Sequence, residues 1–238
     1  MRITAMHSLT RGLTSTPWQL VYACRQSAVA RHQPFRMRPA ISTQLRALLT
    51  EIQACRVCEA QLPLGPRPIL RISPSARILM VGQAPGVKVH ESGIPWHDPS
   101  GIRLRQWLGV EESVFYDERK FAIVPVGMCY PGRGASGDLP PRPECAPLWH
   151  DRILALMPKI RLTILIGQYA QARFLGGHRR PTLTETVAAW QSHAPQVIAL
   201  PHPSPRNRNW LKQNPWFQEE VVPMLRKRVE QALASPGP

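Results

Sequence analysis

Four short apolar runs rich in β-branched residues stand out along the chain, at 78–81, 123–126, 162–166 and 197–200. Each run has the length of a strand, and stretches with helical periodicity lie between them, around 104–108, 143–157 and 169–175. A last helix is predicted over 216–233. Because strands that alternate with helices form parallel sheets covered on both faces, the pattern predicts an α/β fold. We expect three α/β/α layers around a central, mainly parallel, four-stranded sheet.

The first part of the chain lacks this periodicity. Residues 1–42 are rich in Arg, Ser, Thr and Gln and contain three prolines, so we expect a poorly ordered basic segment before a domain at 43–238. A helical pattern begins at Ser42 and runs into Cys55. The acid-free composition is also typical of a mitochondrial transit peptide, and a translation start annotated upstream of the true one, Met37, would look similar. We therefore expect a cytoplasmic, nucleoid-associated protein, or a mitochondrial one if the segment is a transit peptide.

The net charge and the length of the chain indicate which kinds of partner the protein can bind. The 238 residues carry a net charge of +15, and because residues 1–50 hold seven Arg and no acid, residues 51–238 are themselves basic at +8. A basic surface favours a polyanion such as DNA, since binding phosphates releases condensed counterions. No apolar run approaches the length of a membrane span, so we expect no membrane partner. The chain has the length of one main domain, and we expect a monomer.

Four of the five cysteines form two spaced pairs. Cys55 and Cys58 are separated by two residues, Cys129 and Cys145 by fifteen, and Cys24 stands apart. The chain lacks the compact apolar stretch of a signal peptide, which favours reduced thiols over disulfides. Four thiolates are the ligands that a [4Fe–4S] cluster requires, and they bind zinc equally well in isolation.

Three unusual loops follow predicted strands, and ligands of doubly wound sheets bind beyond the carboxyl ends of strands. They span 82–86, 127–132 and 201–207. The first and third, together with the stretch 91–110, resemble the uracil-DNA glycosylases, a resemblance that covers about 43–235. The stretch 91–110 and the string from His202 to Asn207 are similar to the single-strand-selective monofunctional branch. The resemblance implies that branch's fold and the excision of a base from DNA.

The resemblance also implies roles for individual residues. Trp96 would stack on the flipped base, and His202 would donate a hydrogen bond to the base oxygen as the bond to the sugar breaks. The loop at 82–86, which we call the first motif, would lie against the base and hold the hydrolytic water, with Gln83 orienting that water. The remaining substrate-binding candidates are Gly82, Ala84, Pro85, Gly86, Ser204, Arg206 and Asn207.

The four cysteines are similar in order and spacing to another branch, the iron–sulfur uracil-DNA glycosylases. That resemblance implies that Cys55, Cys58, Cys129 and Cys145 hold a [4Fe–4S] cluster, with zinc as the alternative.

The chain departs from the family at two places. The first motif has Gln83 and Ala84 where most members place an acid or Asn, and we expect Asp98 to supply the missing charge, with Glu91 next. Between 121 and 131 there is no Asn to read uracil. We therefore expect a monofunctional glycosylase of base excision repair, acting on uracil or another deaminated base. The alternatives are a catalytically weak or inactive iron–sulfur protein that binds damaged or single-stranded DNA, and an unrelated zinc protein.

Overall fold

The computed structural model describes residues 40–135 and 137–234. The predicted poorly ordered segment at 1–42 lies almost entirely outside these residues. Only its last three residues are described, and Ile41 already belongs to the first helix, one residue before the predicted start.

A four-stranded, all-parallel sheet forms the centre of the domain, with strands β1 (Ile78–Val81), β2 (Phe121–Ile123), β5 (Leu162–Ile166) and β6 (Val197–Leu200). Their order across the sheet is β2-β1-β5-β6. Nearly every residue of these strands is buried, which explains why each reads as a continuous apolar run rather than an alternating one. Strand β1 pairs Ile78 with Phe121 on one side and with Leu162 on the other. The predicted α/β/α architecture is confirmed.

Strand β2 was predicted at 123–126 and lies two residues earlier. Pro125 has no N–H to give to a ladder, so regular pairing stops at Ile123. The backbone still follows β1 for three more residues, since Val124 N–H donates to Met80 O and Val126 N–H to Gly82 O, both at 2.9 Å. This extension brings the second loop alongside the first.

Helices cover the sheet. They are α1 (Ile41–Gln53), α2 (Val87–Ser92), α3 (Pro99–Leu108), α4 (Glu112–Phe115), α5 (Cys145–Leu154), α6 (Gln168–Leu175), α7 (Leu183–Ala188), α8 (Arg208–Gln213) and α9 (Val222–Ala234). The predicted helices at 104–108, 143–157 and 169–175 correspond to α3, α5 and α6. The predicted last helix begins with a π-helical turn, Phe217–Val221, and continues as α9. Short 3₁₀ turns lie at Glu59–Gln61, Gly176–His178, Trp190–Ser192 and Pro205–Asn207.

A small antiparallel hairpin stands apart from the sheet. Strands β3 (Arg133–Gly134) and β4 (Gly137–Asp138) pair within the segment that joins Cys129 to Cys145, and the sequence did not predict them. We call this element the β3–β4 hairpin. Among the described residues, no helix is long and apolar enough to cross a membrane.

Candidate active site

A cleft of about 260 Å³ opens at the carboxyl ends of the strands. Ten of the eleven predicted catalytic and substrate-binding residues line it: Gly82, Gln83, Ala84, Pro85, Gly86, Trp96, Asp98, His202, Ser204 and Arg206. Asn207 is outside this lining, and so is Glu91, the second candidate acid. The loops after β1 and β6 thus meet as predicted, because parallel strands end at the same edge of the sheet.

Two glycines approach Trp96 closely, Gly82 of the first motif at the indole and Gly101 of α3 at the backbone. A β-carbon on Gly82 would lie 3.0 Å from Cζ2 of the indole, and a β-carbon on Gly101 would overlap the carbonyl oxygen of Trp96. Trp96 also has a φ of 59°, in the left-handed region that bulky residues rarely adopt. Backbone strain of this kind persists where the surroundings determine it, and it concentrates at functional sites.

His202 faces Trp96 across the cleft, with ring centroids 5.5 Å apart and a tilt of 34°. The backbone N–H of Ser204 donates to Nδ1 of His202 at 3.2 Å, so Nδ1 is an acceptor and the neutral ring carries its proton on Nε2. Burial lowers the pKa of His202, and the charge of Asp98 opposes this shift. The ring is therefore neutral near pH 7 and presents an N–H donor.

The loop after β6 is braced from two sides. Asn207 donates from Nδ2 to the carbonyl oxygen of His202 at 2.7 Å, which gives this residue a bracing contact instead of a place on the cleft wall. Arg103 of α3 donates from Nη1 to the carbonyl oxygens of Pro203 and Ser204, at 3.3 and 3.1 Å. The sequence did not single out Arg103, because its partners lie a hundred residues away.

Gln83 is fixed by the β3–β4 hairpin. Its Nε2 donates to the carbonyl oxygen of Leu139 at 3.0 Å. Because a carbonyl can only accept, the nitrogen must point toward Leu139, and the amide oxygen is the end that remains for a water molecule. The hairpin also approaches the loop after β6, since a β-carbon on Gly137 would collide with the guanidinium of Arg206.

Two carboxylates line the cleft, and only one was predicted. Asp98 is the N-cap of α3, and its Oδ1 accepts from Gly101 N–H at 2.8 Å. Asp138, on β4, lies against the first motif, with Oδ2 3.3 Å from where a β-carbon on Gly86 would be. Loss of solvation raises the pKa of Asp138, Arg206 and Arg133 lower it, and Asp98 raises it. The sequence predicted neither the hairpin nor its contact with the cleft, because the two strands are only two residues long.

The floor of the cleft is apolar. Ile69, Ile123 and Pro125 line it, and the lining among the described residues contains no Asn. The carbonyl oxygen of Pro125 is occupied by Nε2 of the buried His150, at 3.0 Å. The sequence has no Asn between 121 and 131 to read the base. At this part of the cleft, a base would instead meet apolar side chains and backbone.

The four predicted metal-ligating cysteines line one narrow, largely apolar pocket, where Arg142 also lies. Cys55 and Cys58 follow directly after the end of α1, and Cys129 and Cys145 flank the β3–β4 hairpin. The N–H of Met128 donates to Sγ of Cys145 at 3.3 Å, and Sγ of Cys58 donates to Glu144 at 3.7 Å. As placed, no three His, Cys, Asp or Glu side chains within 40–135 and 137–234 are arranged to hold a metal ion.

The pocket disfavours free thiolates. The pKa of Cys129 is raised to about 11 and that of Cys145 to about 12, with burial as the largest cause and the charges of the neighbouring cysteines acting in the same direction. Burial also raises the pKa of Cys58. Four thiolates gathered here require a cationic group to offset their repulsion, and this donor set suits iron–sulfur clusters and zinc.

The family model described as the uracil DNA glycosylase superfamily matches residues 71–226. The match covers more than half of the chain, and the chain belongs to this superfamily. It includes every residue of the cleft lining except Ile69, as well as Cys129 and Cys145, whereas Cys55 and Cys58 precede it. Membership assigns a DNA glycosylase-type function to the protein, with DNA as the partner.

Proposed function

We propose that the protein is a monofunctional DNA glycosylase that hydrolyses the bond between deoxyribose and uracil, or another deaminated base, in base excision repair. The observation that carries this proposal is the pairing of Trp96 with a neutral His202 across the cleft. One ring offers a face for an extruded base, and the other offers an N–H donor at its edge.

His202 favours an oxygen on the base. Since Nδ1 accepts from Ser204, Nε2–H is a donor, which matches an exocyclic oxygen and opposes an exocyclic amino group. Deamination replaces an amino group with an oxygen, so this donor suits deaminated bases as a class. The same hydrogen bond strengthens as negative charge develops on the departing base, which makes it a transition-state interaction.

Water is the nucleophile that the cleft supports. None of the three loops at 82–86, 127–132 and 201–207 contains a Lys, the residue that Schiff-base chemistry requires. The oxygen of the Gln83 amide is available to accept a hydrogen bond from water, because Leu139 holds the nitrogen. In the described part of the chain, the cleft has an apolar floor at Ile69 and Ile123, with no side-chain amide there to read the base. The base would therefore be selected by its shape and by backbone contacts.

A second candidate function is DNA binding without base release. It is favoured by the first motif, where Gln83 and Ala84 provide no carboxylate to balance the positive charge that develops on the sugar. The two candidates differ in one measurable outcome, the release of a base.

The test uses oligonucleotides that contain uracil, hypoxanthine or xanthine, followed by alkaline cleavage of abasic sites. We expect cleavage of at least one of these substrates by the wild-type protein, and a loss of about 10²–10³ in single-turnover rate for His202→Ala. His178→Ala, a His in a 3₁₀ turn that is not part of the cleft lining, is the matched control and should retain the wild-type rate. Tight binding with no base release from any substrate would favour the binding protein.

We also propose that Cys55, Cys58, Cys129 and Cys145 hold a [4Fe–4S] cluster. The support is that all four line one pocket and that Met128 N–H already donates to one of the sulfurs, as hydrogen bonds do around such clusters. Zinc is the alternative, since four cysteine thiolates bind zinc as well. When bound, the cluster would tie the end of α1 to the segment that carries the β3–β4 hairpin.

Elemental analysis of anaerobically purified protein tests the cluster. We expect iron and sulfide, with iron lost in Cys129→Ala and retained in Cys24→Ala, since Cys24 belongs to neither cysteine pair. Stoichiometric zinc without iron or sulfide would refute the proposal.

A further inference from the structure

We infer that Asp138 is the carboxylate that activates the hydrolytic water, in place of the acid that the first motif lacks. This inference rests on the proposed glycosylase function and names a catalytic residue for it. Asp138 lies on the β3–β4 hairpin, more than fifty residues beyond the first motif, which explains why inspection of that motif shows no acid.

The hairpin places Asp138 beside the groups that handle water. Its Oδ2 lies 3.3 Å from the position of a β-carbon on Gly86, so the carboxylate lies directly against the first motif. The next residue, Leu139, holds Gln83 through its carbonyl oxygen. Because Asp138 and Leu139 are neighbours in the chain, the end of β4 places a carboxylate against Gly86 and also fixes the amide of Gln83.

The charges around Asp138 suit a base that must exchange a proton. Arg206 of the loop after β6 and Arg133 of β3 favour its charged form, while Asp98 before α3 opposes it. Tyr130 also faces it, since the charge of Asp138 helps to raise the pKa of that phenol, after burial. Loss of solvation has the largest effect and raises the pKa of Asp138, toward the range where a general base works best.

Asp98 is less suited to this role. Its Oδ1 is committed to the first turn of α3 through Gly101 N–H, and its charge acts on His202. Its position therefore favours a role in fixing the corner between Trp96 and α3 and in balancing charge. Two carboxylates in one cleft with different surroundings are the usual arrangement for two different roles.

The step balances with water as the only co-reactant. The bond between C1′ and the base nitrogen breaks, and its electron pair leaves with the base, whose oxygen accepts the hydrogen bond from His202. The water oxygen forms the new bond to C1′, and its proton passes to the Asp138 carboxylate. That proton then neutralises the departed base anion, which restores the carboxylate and leaves an abasic sugar and a neutral base.

The test compares Asp138→Asn, Asp98→Asn and Asp151→Asn under single-turnover conditions with saturating protein, across pH. Asp151 is an exposed residue of α5 and serves as the matched control. We expect Asp138→Asn to lose about 10²-fold or more in rate and to lose the acidic limb of the pH–rate profile, because a general base must be deprotonated. Asp98→Asn should keep that limb, and Asp138→Glu should recover part of the rate.

Two outcomes overturn the inference and are distinguishable. If the wild-type protein is active and Asp138→Asn retains its rate and its acidic limb, Asp138 is not the base and the glycosylase function stands. If the wild-type protein releases no base, both fall. Affinity for an abasic oligonucleotide and the circular dichroism spectrum show whether Asp138→Asn is folded, and a folded variant with unchanged affinity confines the loss to the chemical step.

Discussion

The indole of Trp96 lies so close to Gly82 that a single methyl group at residue 82 would be 3.0 Å from Cζ2 of the ring. The indole and the first motif are therefore closely packed, and a side chain at residue 82 would displace the ring. Because His202 faces the same ring at 5.5 Å, any displacement of the indole also changes the space between Trp96 and His202.

Gly82→Ala should lower the rate of base release by up to about 10-fold, because the indole must shift by a few tenths of an ångström and a displacement of about 1 Å can cost about 10²-fold. Single-turnover kinetics on the best substrate measure it. Gly177→Ala is the control, because a β-carbon there meets nothing within 4 Å. Equal rates for the two variants would show that the indole moves without consequence.

Asp98→Ala should lower the free energy of unfolding by about 1 kcal/mol, because the side chain caps α3 through Gly101 N–H. Asp98→Asn should change it little, since Asn caps as well as Asp. Urea unfolding of the three proteins measures both effects. A loss in Asp98→Asn as large as in Asp98→Ala would mean that the charge, and not the cap, stabilises the fold.

DNA affinity should fall steeply with salt, and Arg206→Ala should weaken binding to all sequences alike while reducing the salt slope by about 1. The reason is that Arg206 lies at the mouth of the cleft, where it can reach a phosphate. Arg119→Ala is the control, because Arg119 is exposed beside the start of β2, at the opposite edge of the sheet. Fluorescence anisotropy at several salt concentrations measures the slopes, and identical slopes would remove Arg206 from the DNA contacts.

Stability should fall as the pH drops from 7 to 4, because burial lowers the pKa of His150 to about 4. The unfolded state, with an ordinary His pKa near 6.5, binds the proton first, so the neutral buried ring stabilises the fold above this range and loses that contribution below it. The loss should be roughly 2–3 kcal/mol. Urea unfolding at each pH measures it, and His150→Gln should flatten the dependence.

The sheet could be predicted from the sequence because its strands are buried on both faces. Continuous apolar runs fixed β1, β5 and β6 to the residue. Strand β2 was misplaced because the run at 123–126 is equally apolar on both sides of Pro125, and only pairing with β1 shows where the ladder ends. The short helices α2, α4, α7 and α8 were missed because so few residues carry too little periodicity.

The cleft was predictable only where a motif is local. Trp96 and His202 lie in strings that resemble a family, and the structure brings them together. Arg103 contacts Pro203, and Asp138 lies against Gly86. In both cases the two residues are far apart in sequence, so no spacing along the chain indicates that they are close in the fold. Asn207 belonged to the right string, yet its contact with the carbonyl of His202 depends on how the loop folds back.

The β3–β4 hairpin lies in a segment of the chain whose two ends, Cys129 and Cys145, reach the same pocket. A segment with its ends held together has already lost much of the conformational freedom of an open chain, so less entropy remains to be lost when its middle is ordered. The middle of this segment supplies Asp138 and the carbonyl that fixes Gln83. The cysteine pocket therefore restricts the positions that the hairpin can adopt, and with them the positions of Asp138 and Gln83 in the cleft.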